Sequence, residues 1–155
     1  MNAQISTHRA TPYVPSAALH FTQLFSATPR GARLARLLTV HQLTAWGWPP
    51  ACATAEAAAL VVAELAANAV THGRVSGRGF RLTLTVTDAD ADAGTLRIEV
   101  TDPRGERALP PGSPTATPLA ESGRGLLLVD ALATRWGTAP YPPSGKTVWA
   151  CLPLL

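Results

Sequence analysis

Lysine is nearly missing from this 155-residue chain. Lys146 is the only one, and arginine carries the rest of the positive charge. The 13 basic and 10 acidic residues leave a net charge of +3. The basic residues are scattered and form no dense block, so no nucleic-acid surface is expected. Cysteine is scarce as well. Cys52 and Cys151 have no Cys or His partner at metal-ligand spacing, which excludes the common metal-finger patterns. The first residues lack a basic start followed by an apolar stretch, so no signal peptide is expected. No apolar run of 18 residues stands out, so no membrane span is expected either. A reduced, cytoplasmic protein is the simplest expectation.

Two nucleotide-binding signatures are missing too. GxxxxGK followed by Ser or Thr does not occur. The run beginning at Gly123 fails as a dinucleotide fingerprint, because Leu128 stands where a third glycine belongs and no strand immediately precedes it.

Apolar material is plentiful, at 46% of the chain, enough for one domain with a sizeable core. Residues 1–16 are polar with Pro12 and Pro15, and are expected to form a loose tail. Residues 17–155 are expected to form a single domain. The stretch 18–25 places Leu19, Phe21 and Phe25 on one face, which suggests a first strand. Thr28-Pro29 reads as an N-cap with proline at the first helical position. A helix from there to about Trp46 presents Leu34, Leu37, Leu38 and Leu43. A second helix is expected from about Ala51 to His72, with Gly73 as its terminator, and Val61, Leu65 and Ala69 as its apolar stripe.

The period then changes to two. Phe80, Leu82, Leu84 and Val86 alternate with polar neighbours, and so do Leu96, Ile98 and Val100. These runs predict an antiparallel hairpin with one buried face. Ser76-Gly77-Arg78-Gly79 reads as the turn leading into it. Residues 103–121 hold five prolines and no periodicity. Then GRGLLLVDALATRWG (123–137) starts as a glycine-flanked helix, and GKTVWACLPL closes the chain as a strand. This order predicts an α+β two-layer sandwich, with a mixed, mostly antiparallel sheet and helices on one face.

Three polar groups interrupt the second helix in register: Glu64, Asn68 and His72. Residues four apart share a helix face. Asn68 is neutral and suits a hard divalent cation without repelling phosphates. Glu64, one turn away, can accept a proton from a water or hydroxyl. The same residues also suit a solvated helix face, with His72 favourable to the helix dipole. Asp102 has the parity of Leu96, Ile98 and Val100, so it points to the helix side. A ligand N–H donor would satisfy it there, though Asp-Pro also suits the start of a turn. Gly123 and Gly125 open the third helix, where free backbone N–H groups favour anions.

Taken in order, E-L-A-A-N-A-V-T-H-G, V-T-D-P-R-G, S-G-R-G-L and G-K-T-V-W resemble the gyrase, histidine-kinase and MutL type of ATP-binding fold (the Bergerat fold). Within it, the chain is most similar to stand-alone anti-sigma-factor serine kinases, especially the short ATP-binding regulators of actinomycetes. The resemblance covers about residues 18–154. It implies ATP and Mg²⁺ as cofactors, with Asn68 holding Mg²⁺ and Glu64 acting as general base. It implies that Asp102 accepts the adenine amino group and Gly105 shapes the loop below it. Gly123, Arg124, Gly125 and Leu126 would border the phosphates. Thr147 would support the adenine pocket, and residues 103–121 would form a lid.

The chain departs from the family pattern at two places. Only Gly105 follows Asp102 where two spaced glycines are usual, and the lid is short and rich in proline. The implied function is a serine/threonine kinase acting on an anti-sigma-factor antagonist, or binding a sigma factor. No nucleic-acid or membrane partner is implied. Relatives of this type often dimerise, so a homodimer is expected. A non-catalytic partner-switching module and an ATP hydrolase remain open, because Glu64 suits serine and water equally.

Overall fold

The computed structural model describes residues 19–72, 79–87, 94–103 and 125–155. The expected tail 1–16 lies outside the described residues. So do nearly all of 103–121, including Gly105, and also Gly123, Arg124 and the side chain of His72.

The elements run β1 (Leu19–Ser26), α1 (Pro29–Ala45), α2 (Ala53–His72), β2 (Gly79–Thr87) and β3 (Thr95–Asp102). A helical stretch over 125–132, labelled α3, follows. β4 (Arg135–Tyr141) and β5 (Gly145–Pro153) close the chain. The five strands form one sheet in the order β1-β2-β3-β5-β4. Every pairing is antiparallel. This is the expected α+β sandwich, except that the sheet is antiparallel throughout the described residues and not mixed.

The period-two runs pair as their alternation demands. Leu82 faces Val100, Leu84 faces Ile98 and Val86 faces Leu96, and all six are buried. Ala150 and Leu152 extend the same face from β5. The alternate residues stay on the other face. There Arg97 pairs with Glu99 at 3.3 Å and stacks over Trp149 at 4.4 Å. A one-residue slip would send every apolar side chain to the wrong face, so the register is strongly specified.

Thr28 caps α1 as expected, its hydroxyl accepting from the Gly31 N–H at 3.0 Å, with Pro29 next in line. The buried stripe of α1 overlaps the expected leucine set only in part. It is Gly31, Ala35, Thr39 and Leu43; Leu38 is half-buried against the core, while Leu34 and Leu37 are exposed. Small residues win this face because α1 lies close to its neighbours. A Cβ on Gly31 would run into the Ser26 carbonyl oxygen. Thr39 is tolerated in the core because its hydroxyl donates to the Ala35 carbonyl at 2.8 Å. On α2 the expected stripe holds, and Val61, Leu65 and Ala69 are all buried.

Two further points refine the expectations. The short helix expected within 123–137 stops at 132, and Arg135 begins a strand, β4, inside that stretch. The backbone N–H of Thr134 donates to the Cys151 carbonyl at 2.9 Å, and its hydroxyl does so at 3.1 Å, which turns the chain onto β5. β4 is an edge strand, mostly exposed, so it carries no apolar alternation. Its Pro140 suits an edge, where no ladder N–H is needed on the open side. The second concerns apolar length. Ala53–Thr71 is in fact long and apolar enough to cross a membrane, with a mean hydropathy of 1.4. Yet 56% of that segment is buried inside the protein, where α2 packs against α1, β2, β3 and β5. Core packing accounts for its composition.

Candidate functional site

Glu64 and Asn68 interrupt the apolar sequence of α2, and both are half-buried. Four helical residues rise about 6 Å, so the two groups stand one turn apart on one face. Glu64 does not face open solvent alone. Its carboxylate lies against Gly125, where α3 is first described, and a Cβ added there would sit 2.6 Å from Oε2. α3 is anchored one turn further on by Val129, which is fully buried in the core. The fold thus joins two points 61 residues apart in the sequence, Glu64 on the acid-asparagine helix and Gly125, the first described residue of α3.

Asp102 ends β3, half-buried, in register with Lys146. Both its sequence neighbours are tied down. The Thr101 hydroxyl lies 2.8 Å from that of Thr147 on β5. The Ser144 hydroxyl donates to the Pro103 carbonyl at 3.3 Å. Alternation puts Asp102 on the side of Val100 and the Thr101–Thr147 pair on the other. Thr147 therefore acts on Asp102 through the strand, by pinning β3 to β5 beside it. Gly145 completes this corner. A Cβ there would sit 2.8 Å from the carbonyl oxygens of both Asp102 and Tyr141. Only glycine lets the start of β5 approach so closely.

Of the residues singled out from sequence, the fold sets Glu64 against Gly125 with Asn68 one turn along α2, and fixes Asp102 and Thr147 at the β3–β5 end of the sheet. Leu126 is half-buried beside Gly125. Sequence reading missed the roles of Gly145, Thr101 and Ser144. The G-K-T-V-W stretch was the available signal for the first. The other two had none, since a threonine and a serine become informative only once their partners are known. Among the described residues there is no cluster of three or more His, Cys, Asp or Glu side chains able to hold a metal ion.

The fold is one antiparallel five-stranded sheet with three helices, an α+β sandwich that carries an acid and an amide on α2 and a carboxylate at the end of β3. Residues 25–152 match the family model of the histidine kinase-like ATPase domain, and the chain belongs to that family. It is an ATP-binding domain of the kinase and ATPase kind. No individual curated protein matches the sequence.

Proposed function

We propose that this chain is an anti-sigma-factor-type serine/threonine protein kinase of the cytoplasm. It binds ATP with Mg²⁺ and phosphorylates an antagonist protein, or sequesters a sigma factor, as a homodimer. The observation that carries this reading is the contact of Glu64 with Gly125. It sets a half-buried carboxylate beside the glycine-rich start of α3, one turn from Asn68.

In this reading Asp102 accepts the adenine amino N–H, held in place through Thr101, Thr147 and Gly145. Gly105, Gly123, Arg124, Gly125 and Leu126 lie along the nucleotide. Asn68 would hold Mg²⁺. A neutral amide with no carboxylate cluster around it, among the described residues, fits an ion that takes few protein ligands and relies on phosphate oxygens and water. When bound, the ion offsets part of the phosphate charge. Glu64 takes the proton of the target serine as its oxygen attacks the γ-phosphorus. The bond from that phosphorus to the bridging oxygen breaks, and ADP leaves.

The test is incubation with γ-labelled ATP and candidate antagonist proteins. Label on a serine or threonine of the partner supports the kinase. Free labelled phosphate without protein label replaces it with an ATP hydrolase. Neither product, in a protein that binds ATP, makes the chain a non-catalytic partner-switching module.

A further inference from the structure

Gly125 is buried and helical, and its backbone is not in the left-handed region. No conformational need therefore calls for glycine. Within a helix alanine is the better residue, because glycine has more freedom to lose. The reason for glycine must be space. The three nearest heavy atoms to an added Cβ all belong to one side chain: Glu64 Oε2 at 2.6 Å, Cδ at 3.5 Å and Cβ at 3.8 Å. No backbone atom is among them. This differs from Gly145, where the obstacles are two carbonyl oxygens.

We infer that Gly125 is a positioning residue for Glu64: its missing side chain makes the slot in which the carboxylate lies, and α3 is the wall of that slot. The catalytic consequence rests on the kinase reading above. The obstacle is the far end of a flexible side chain, so a methyl at 125 need not disturb the fold. It displaces the carboxylate instead. The expected outcome of Gly125→Ala is then unusual in sign. Thermal stability is unchanged or slightly raised, because helix propensity improves while the carboxylate swings away. Phosphoryl transfer falls about 100-fold, the loss expected when a reacting group is misplaced by about an ångström. A role in packing alone predicts the reverse, a lower melting temperature with activity kept.

The experiment is a double-mutant cycle with Glu64→Ala, reading turnover, ATP affinity and melting temperature. Gly125→Ala should lower turnover about 100-fold in the Glu64 background and by less than about twofold in the Glu64→Ala background. ATP affinity is read in parallel, because Gly125 also borders the nucleotide in the reading above: a loss of affinity as large as the loss of turnover would overturn the inference. Equal losses in both backgrounds would mean that residue 125 acts on the nucleotide directly, and would overturn the inference. So would full activity of Gly125→Ala.

A second measurement needs no turnover. The carboxyl-carbon chemical shift of Glu64 should move between wild type and Gly125→Ala, and identical shifts would overturn the inference. A moved shift in a wild type that transfers no phosphate would uphold the slot while removing the kinase reading.

Discussion

Gly145→Ala probes the corner that holds Asp102. The added Cβ would lie 2.8 Å from the Asp102 carbonyl oxygen, 2.8 Å from that of Tyr141 and 3.0 Å from Tyr141 Cδ1. Close carbon–oxygen contacts begin at about 3.3 Å, so each carbonyl must give by about half an ångström. Neither can rotate away. Asp102 belongs to the β3–β5 ladder and Tyr141 to the β4–β5 ladder, on opposite sides of residue 145. Relief on one side tightens the other. Overpacking of this sort costs about 1–3 kcal/mol, which in a domain of this size lowers the melting temperature by roughly 3–10 °C. The displacement also moves Asp102 relative to the adenine it is proposed to recognise. A weakened hydrogen bond there should reduce ATP affinity about tenfold, equivalent to ~1.4 kcal/mol. Thermal denaturation with and without ATP, together with calorimetric titration, reads both effects. An unchanged melting temperature would refute the steric reasoning. A destabilised variant with wild-type ATP affinity would refute the placement of adenine at Asp102.

Other substitutions address single groups. Asp102→Asn can present an N–H where the adenine amino group needs an acceptor, so ATP binding should weaken by about 1–3 kcal/mol in a folded protein; unchanged affinity by calorimetry would remove Asp102 from the base pocket. Asn68→Ala should abolish the dependence of nucleotide binding on Mg²⁺, because it deletes the proposed protein ligand of the ion. A variant whose titrations with and without Mg²⁺ differ as in wild type contradicts that role. Glu64→Gln keeps size and hydrogen bonding but cannot take a proton, so ATP should bind normally while transfer falls about 10²–10⁴-fold. Activity retained in that variant would show that Glu64 is not the base.

Much of this architecture is local chemistry and was legible residue by residue. The β2–β3 hairpin follows from strict alternation, since a strand with one buried face has no other way to order its side chains. The start of α1 follows from Thr28-Pro29, because cap geometry depends on residues within one turn. The common face of Glu64 and Asn68 follows from helical spacing alone. So does the parity of Asp102 with Ile98 and Val100.

What depends on distant neighbours was not legible. β4 has no periodic signature, because an exposed edge strand buries neither face completely, and only its pairing with β5 defines it. The insertion of β5 between β3 and β4 is a choice among long-range pairings that no local pattern encodes. The buried stripe of α1 runs through Gly31, Ala35, Thr39 and Leu43 and leaves Leu34 and Leu37 outside, because the closeness of packing at Gly31, and not hydrophobicity alone, decided which face turned inward. The three glycines at 31, 125 and 145 look alike in sequence, yet each clears a different obstacle: a strand-end carbonyl, a carboxylate and a pair of ladder carbonyls. Sequence by itself determined which groups could do chemistry and which faces they shared. Tertiary structure alone decided that Glu64 meets Gly125 and that β5 pins Asp102, because steric clearance is a property of the atoms that arrive from elsewhere in the chain.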